Sequence, residues 1–368
     1  MTAPILIAAG GTGGHLFPAR ALAAALLARG RTLALATDRR GTGYEAAFAG
    51  MAVHRLPAGA PVGPPWRKAL GAIELGWGVL AARRLLAQLR PESVIGFGGY
   101  PSVPAMIAAQ WAGLPTAIHE QNAVLGRANR WLAGRARAIA AGFPLAESAT
   151  VVGNPVRPEV LAVAGRPYPM LEAGPIRLVV LGGSQGARAL GRMVPVALGL
   201  LSDALRPRLR VSQQARAEDV DEARRVYAEA GIRAEVSPFF TDVPARLAEC
   251  HLAITRAGAS TLAELGVLGR PAVLVPYPHA MDDHQTRNAL AHAAGGAAEV
   301  IPESTLTPER LAARVAAMLE HPAGLAARAR AALANGRPDA AERLADLVEG
   351  LVRRAPAPAP VELRSVAT

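Results

Sequence analysis

Two glycine-rich segments are the part of this chain best suited to hold an anion. They read Gly10-Gly11-Thr12-Gly13-Gly14-His15 and Gly182-Gly183-Ser184-Gln185-Gly186, and each follows a short apolar run and precedes a helical pattern. A glycine turn between a strand and a helix presents backbone N–H groups and the positive end of the helix dipole to a phosphate. The sequence therefore predicts two phosphate-binding units, one in each half of the chain.

Further polar or glycine-rich clusters follow predicted strands, at residues 96–102, 119–122, 256–264 and 276–288. In open α/β sheets, ligands bind beyond the carboxyl ends of the strands. The turn amides of the cluster at residues 256–264 can hold a phosphate. Glu264, one helical turn further on, can accept hydrogen bonds from ribose hydroxyls. The cluster at residues 276–288 offers polar groups for a sugar.

Two standard nucleotide-binding motifs are excluded, and one catalytic motif remains. The third glycine of G-x-G-x-x-G would fall at Leu16, and Lys68, the only lysine, does not follow a Walker A loop. The second glycine segment does match G-x-S-x-G, the nucleophile elbow of α/β hydrolases, with Ser184 as the nucleophile. The same residues serve equally as an anion loop in which Ser184 donates its hydroxyl. The hydrolase hypothesis leaves the first half of the chain without a role.

Short apolar runs alternate with helical periodicity along the chain. The predicted strands are residues 4–9, 32–37, 51–56, 93–97, 115–119, 137–141, 149–152, 176–181, 208–212, 233–237, 251–255, 271–275 and 297–300. Strands separated by helices form parallel, doubly wound sheets, and a chain of 368 residues suits two domains rather than one core. We therefore predict the α/β class, with two Rossmann-like parallel-sheet domains facing a cleft.

The domain boundary is predicted near the Gly-Asn-Pro-Val-Arg-Pro segment at residues 153–158. Residues 1–154 form the first domain in this interpretation, and residues 155–335 form the second. Residues 336–354 are predicted to form a helix that packs back on the first domain. Residues 355–368, which begin with an Ala-Pro repeat, have the composition of a disordered tail.

The basic charge of the chain is concentrated in its first half. Residues 1–155 hold 15 Lys and Arg against 6 Asp and Glu, a surplus of nine, whereas residues 156–368 hold 25 against 23, a surplus of two. This asymmetry favours an anionic partner for the first domain, either a pyrophosphate-bearing substrate or an anionic membrane surface. No nucleic-acid motif is present and aromatic residues are few, so nucleic acid is not expected.

Composition also indicates the cellular compartment. Cys250 is the only cysteine, which excludes an internal disulfide and a cysteine-based metal cluster and favours a reducing cytoplasm. We expect neither a signal peptide nor a membrane-spanning helix. The segment from Trp66 to Arg84 mixes Trp and Leu with Arg and Lys, which suits an interfacial helix at a membrane. The same stripe also suits a helix packed on the sheet.

Seven motifs together give a specific resemblance: GGTGGH, GFGGYPS, HEQNAVLGRANR, GNPVR, LGGSQGAR, RAGASTLAEL and HAMDDHQTRNA. Their order and spacing, from about residue 5 to 320, resemble those of the MurG family of bacterial N-acetylglucosaminyltransferases. The resemblance implies a GT-B glycosyltransferase fold. It also implies transfer of GlcNAc from UDP-GlcNAc to the C4 hydroxyl of undecaprenyl-pyrophosphoryl-MurNAc-pentapeptide, a step of peptidoglycan synthesis. The expected location is peripheral, at the cytoplasmic face of the inner membrane, with cell-wall synthesis or division proteins as possible partners.

The resemblance further implies the site residues. Those expected to bind UDP-GlcNAc are Thr12, Gly13, Gly14, Asn122, Arg157, Ser184, Phe240, Ala259, Ser260, Thr261, Leu262, Ala263, Glu264 and Gln285. Those expected on the acceptor side are His15, Gly98, Gly99, Tyr100, Glu120 and Asn129.

An α-linked donor that gives a β-linked product inverts in a single displacement, so no protein nucleophile is needed. A general base must take the hydroxyl proton, and His15 and Glu120 are the two candidates. Asp282 and Asp283 are adjacent and do not form an Asp-x-Asp pair, so neither a metal nor another cofactor is expected. Other GT-B enzymes that use UDP-sugars, a glycolipid transferase or a UDP-GlcNAc epimerase, are the alternative functions.

Overall fold

The computed structural model of the protein describes residues 3–10, 13–38, 48, 50–61, 63–182 and 187–353. Two of the predicted site residues, Thr12 and Ser184, and the predicted tail at 355–368 lie outside these described residues.

The first domain is built on a seven-stranded parallel sheet. Its strands are β1 (Ile5–Ala8), β2 (Leu33–Thr37), β3 (Ala52–Arg55), β4 (Ser93–Gly96), β5 (Thr116–Glu120), β6 (Ala138–Ala141) and β7 (Thr150–Val151). They lie in the order β3-β2-β1-β4-β5-β6-β7, with Ile5 opposite Leu33 on one side and Ser93 on the other. The order reverses between β1 and β4, and the crevice at such a reversal is where doubly wound sheets bind ligands.

Helices cover both faces of this sheet. They are α1 (Gly13–Ala28), α2 (Pro65–Leu89), α3 (Val103–Trp111) and α4 (Arg127–Ala133). Successive residues of β1 enter opposite cores: Ile5 and Ile7 pack with α1, whereas Leu6 and Ala8 pack with α2 and α3. All four are fully buried, as expected for a parallel strand covered on both faces.

The second domain repeats the design with six parallel strands. They are β8 (Ile176–Leu181), β9 (Leu209–Gln214), β10 (Arg233–Ser237), β11 (Leu252–Thr255), β12 (Ala272–Leu274) and β13 (Ala298–Val300), in the order β10-β9-β8-β11-β12-β13. Its helices are α5 (Pro158–Leu161), α6 (Arg188–Gly199), α7 (Val220–Glu229), α8 (Val243–Glu249), α9 (Ala259–Leu268), α10 (His284–Ala293), α11 (Pro308–Leu319) and α12 (Pro322–Asn335). The structure confirms the predicted α/β class and all thirteen predicted strands.

The last described helix, α13 (Ala340–Arg353), belongs to the first domain in space. Its buried side chains, among them Leu344 and Val348, join the core that contains Ile5 and Leu22. Arg29 of the first domain pairs with three carboxylates of this helix, those of Glu342, Asp346 and Glu349. The chain therefore crosses between the domains twice, near residue 155 and again between α12 and α13.

The longest described helix, α2, has 25 residues. Among the described helices, none combines the length and the apolar composition that a bilayer crossing requires.

Candidate active site in the interdomain cleft

A cavity of about 190 Å³ lies between the two domains. The first domain contributes the start of α1, the loop after β4, the end of β5 and the start of α4, and the second domain contributes the turn before α10. The lining residues are His15, Gly98, Gly99, Tyr100, Glu120, Asn122, Val124, Gly126, Arg127, Ala128, Asn129, Met281, Asp282 and His284. All six residues predicted for the acceptor side line this one cavity.

His15 stands in the first turn of α1, with its ring against the loop after β4. A methyl group added at Gly99 would lie 3.5 Å from His15 Cε1. Gly98 and Gly99 have φ angles of 82° and 70°, a left-handed backbone that favours glycine. Burial, and secondarily repulsion from His284, lowers the pKa of His15 to about 4. The imidazole is therefore neutral at pH 7, and one of its ring nitrogens keeps a lone pair.

Glu120 ends β5 with a buried carboxylate that is fully hydrogen-bonded. Its Oε1 accepts from the backbone N–H and the side-chain amide of Asn122, both at 3.0 Å. Its Oε2 accepts from the N–H of Gly126 at 2.9 Å and from the amide of Asn129 at 2.8 Å. A carboxylate has about four lone-pair positions, so these four donors use its accepting capacity. Glu120 thereby fixes the loop that runs from β5 to α4.

Asn288 of α10 joins this network to the second domain. Its side chain is fully buried, and its Oδ1 accepts from the N–H of Ala123 at 2.7 Å. Its Nδ2 donates to Asn122 Oδ1 at 3.0 Å and to the carbonyl of Ala257 at 3.1 Å. Sequence reasoning placed Asn288 in a polar cluster without assigning it a role. The available signal was the i,i+4 spacing of Asn288 and His292, which places two polar residues on one helix face, and both are buried.

Arg157 and Glu264 form an ion pair on the donor side of the cleft. Arg157 Nε donates to Glu264 Oε1 at 2.9 Å, and the guanidinium lies 5.6 Å from the ring centre of Phe17 in α1. Burial raises the pKa of Glu264, while the attraction of Arg157 opposes that rise. Arg157, predicted to bind the diphosphate, and Glu264, predicted to bind the ribose, thus neutralise each other's charge beside the first domain.

The other predicted donor residues lie around the start of α9. This helix begins at Ala259, so Ser260 and Thr261 lie in its first turn, where backbone N–H groups have no helical partner. Leu262 is only 1% exposed and packs in the core, so its backbone alone can reach a ligand. Ala263, on the same helix, lines a separate cavity at the hinge, together with Gly153 and Arg337.

Gln285 and Phe240 complete the donor set. Gln285 Oε1 accepts from the N–H groups of Ala257 at 3.2 Å and Tyr277 at 3.0 Å, which ties α10 to the loops after β11 and β12. The ring of Phe240 is 6% exposed, beneath the guanidinium of Arg246 at 4.1 Å. Gly13 and Gly14 open α1, as expected for a glycine turn before a helix.

Two parallel α/β domains around a shared cleft have the architecture of the GT-B glycosyltransferase fold. The model of the glycosyltransferase family 28 N-terminal domain matches residues 5–141, and that of the C-terminal domain matches residues 177–344. The chain therefore belongs to glycosyltransferase family 28 and, within it, to the MurG family, as the predicted resemblance indicated.

Similar proteins support this assignment over the full length. The chain is 55% identical over 357 residues to the UDP-N-acetylglucosamine–N-acetylmuramyl-(pentapeptide) pyrophosphoryl-undecaprenol N-acetylglucosamine transferase of Rhodospirillum centenum, covering 95% of this chain and 94% of that one. It is 53% identical to the protein of the same name from Paramagnetospirillum magneticum, with 95% and 96% covered. The crystal structure of Acinetobacter baumannii MurG matches with a TM-score of 0.79 at 31% identity, covering 95% of this chain and all of that one. A calicheamicin glycosyltransferase, 17% identical with a TM-score of 0.65, shares the fold.

Proposed function

We propose that the chain transfers N-acetylglucosamine from UDP-N-acetylglucosamine to N-acetylmuramyl-(pentapeptide) pyrophosphoryl-undecaprenol, the reaction that its relatives' names describe. The observation that carries the proposal is the interdomain cavity, where neutral His15 of one domain faces the α10 turn of the other. A cleft between a donor domain and an acceptor domain lets the two substrates meet with water largely excluded.

In the proposed reaction, the C4 hydroxyl oxygen of the acceptor attacks the anomeric carbon of the donor sugar in line with the departing UDP. The new C–O bond forms as the bond to the diphosphate oxygen breaks, and the configuration inverts. His15 takes the hydroxyl proton, because its ring is neutral and Glu120 already accepts four hydrogen bonds. Glu120 and Asn129 hold the loop in place.

The donor domain is proposed to receive the nucleotide. Arg157 turns from Glu264 to the diphosphate, joined by Ser184 and the amides at the start of α9, and these groups stabilise the negative charge of departing UDP. Glu264 then accepts from the ribose hydroxyls. Asn122 and Gln285 hold the GlcNAc hydroxyls, the backbone beside Phe240 lies at the uracil, and Thr12 borders the sugar.

The proposed reaction needs no resident metal. Among the described residues, no group of three or more His, Cys, Asp or Glu side chains has the arrangement of a metal site. Purified enzyme is expected to keep its turnover in EDTA, whereas loss of turnover that added Mg²⁺ restores would contradict this part of the proposal.

The decisive experiment supplies UDP-GlcNAc and a short-chain lipid-linked MurNAc-pentapeptide. We expect UDP release that depends on the acceptor, together with a lipid-linked disaccharide detected by mass spectrometry. Release of UDP and an epimerised sugar without acceptor would instead indicate an epimerase. Transfer to diacylglycerol in place of the MurNAc lipid would indicate a glycolipid transferase.

We also propose that α2 docks the enzyme on an anionic membrane surface, where its lipid acceptor resides. One face of the helix carries large apolar side chains that are about half exposed or more: Trp66 58%, Leu70 59%, Ile73 58%, Trp77 65% and Leu80 49%. Trp111 of α3, 61% exposed, is a further large apolar side chain in the helical layer that contains α2. Arg67, Lys68, Arg83 and Arg84 flank this stripe. Aromatic and basic residues on one exposed face suit the headgroup region of a bilayer.

Two sets of variants test the membrane surface. Charge reversal of Arg67, Lys68, Arg83 and Arg84 should weaken co-sedimentation with vesicles of phosphatidylglycerol and phosphatidylethanolamine, and so should W66S with W77S. Trp131 on α4 is 67% exposed and outside the stripe, so W131S is the matched control. Equal binding by all variants would contradict the proposed docking.

A further inference from the structure

His284 brings a second imidazole into the cavity from the opposite domain. It is the first residue of α10, is partly buried, and lines the same cavity as His15 and Glu120. The ring is near enough to His15 to lower the pKa of that residue by charge repulsion. The reaction as described above gives His284 no task.

The hydrogen bond of His284 fixes which ring nitrogen faces a ligand. Nδ1 lies 2.8 Å from the backbone carbonyl oxygen of Met281. A carbonyl oxygen can only accept, so Nδ1 carries the hydrogen and donates it. In the neutral ring the lone pair is then on Nε2, which acts as an acceptor. A backbone carbonyl thus orients this imidazole in the way that partners of functional histidines commonly do.

The turn that supplies this carbonyl is held by the first domain. Asp282 and Asp283 have φ angles of 54° and 51°, a left-handed backbone that is unusual for two consecutive residues other than glycine. Asp282 pairs across the cleft with Arg130 at 2.9 Å and with Arg127 at 3.5 Å, both on α4. Ion pairs between the domains therefore hold the turn from which the His284 ring projects.

With Nδ1 held by the carbonyl, Nε2 of this ring is left as an acceptor in the cleft, and it selects a ligand with a donor at the matching point. Hydroxyl groups are the donors that sugar rings supply, and either substrate of the proposed reaction brings several. We propose that His284 is a substrate-binding residue whose Nε2 accepts a hydrogen bond from a sugar hydroxyl in the cleft. The inference rests on the proposed function and extends it to a residue of the donor domain that touches the sugar.

Three substitutions of His284 test the roles of its two ring nitrogens separately. The side-chain amide of H284Q reaches close to the position of Nε2, that of H284N reaches close to Nδ1, and H284F keeps the shape with neither. We expect H284Q to keep kcat/KM within about threefold of wild type, and H284N and H284F to lose about tenfold or more, as for one lost hydrogen bond. His321, an exposed histidine before α12, gives the matched control H321Q. A raised KM for UDP-GlcNAc would identify the donor sugar as the ligand, and a raised KM for the lipid would identify the acceptor sugar.

The opposite pattern overturns the inference. Retention in H284N with loss in H284Q would mean that the ring only anchors the turn through Nδ1. Equal loss in all three variants, or no loss in any, would likewise exclude an acceptor role for Nε2. Affinity for UDP-GlcNAc and for the lipid, measured by titration calorimetry on the same variants, gives the same readout without turnover. Failure of the wild-type enzyme to release UDP on addition of acceptor would contradict the proposed function instead.

Discussion

A carboxylate at the centre of a site can serve the structure rather than the reaction, and Glu120 is such a case. We predict that E120Q destabilises the protein by about 1–3 kcal/mol, because the new NH₂ group faces donors where the carboxylate accepted. H15Q, in contrast, should unfold like wild type but lose about 10²- to 10⁴-fold in kcat, the usual contribution of a general base. Urea unfolding and steady-state kinetics on both variants check this pair. A stable, inactive E120Q beside an active H15Q would assign the base to Glu120.

Buried histidines should make stability depend on pH. Burial is the main cause that lowers the pKa of His15, His119 and His292 to about 4 each. In the unfolded chain these rings titrate near the ordinary value of about 6.5. The unfolded state therefore binds more protons below that pH, and the free energy of unfolding falls between about pH 6.5 and about pH 4.

H292L isolates one of these contributions. The Nε2 atom of His292 is buried and has no hydrogen-bond partner among the described residues, so leucine removes a titrating group without breaking a hydrogen bond of that atom. We expect a smaller loss of unfolding free energy between pH 7 and pH 4.5, by up to about 3 kcal/mol, measured by urea unfolding at several pH values. H321Q, at an exposed position, is the control. An unchanged pH dependence in H292L would contradict the lowered pKa.

At the scale of elements, α13 should stabilise a domain from which it is remote in sequence. Leu344 is fully buried against the first-domain core, so L344A should lower the free energy of unfolding by about 2–5 kcal/mol. R343A, at an exposed neighbour whose partner among the described residues is Asp339 one turn earlier, should cost under about 0.5 kcal/mol. Chemical denaturation measures both changes. Equal stability of the two variants would mean that the helix does not support this core.

The central strands β1, β4 and β11 were predictable because each is a short run between helical patterns that is buried on both faces. The outward face of α2 was harder, since a mixed apolar and basic stripe suits either a core or a membrane. The deciding contacts are close approaches: Gly78 lies against the carbonyl of Pro57, and a methyl group at Gly71 would lie 2.5 Å from the carbonyl of Ala60. These glycines pin one face of the helix to residues 57–60, which leaves Trp66 and Trp77 outside.

The site was predictable only as a set of loops. Parallel strands place their carboxyl ends at one edge, which is why Gly98, Glu120 and Glu264 were expected near a cleft. Which side chains contact each other depends on tertiary geometry that spacing does not encode. The four donors on Glu120 and the bridge made by Asn288 are contacts of this kind, and the second joins residues 166 positions apart.

At the scale of the whole molecule, the two domains meet through polar contacts as well as through the chain crossings. Asn288 bridges them by hydrogen bonds, Arg157 covers Phe17, and Asp282 pairs with α4. Polar interfaces of this kind are typical of domains that move relative to each other. A cleft that must admit two substrates and release two products needs such motion.

The Asp282 ion pairs allow the contact between the two domains to be tested in solution. The Asp282 side chain is 23% exposed and its arginine partners are more than half exposed, so the pairs are worth at most about 1 kcal/mol. Asparagine tolerates the left-handed backbone, so D282N removes the charge without adding strain. We expect D282N to raise the KM of the transfer reaction by up to about fivefold at low salt. Added salt screens these pairs in the wild-type protein, so the KM of D282N should depend less on salt than the wild-type KM. D283N shares the backbone conformation but leaves both ion pairs intact, and it should keep the wild-type salt dependence. If D282N and D283N respond identically to salt, the turn before α10 is held by its own backbone, and the first domain has no part in positioning it.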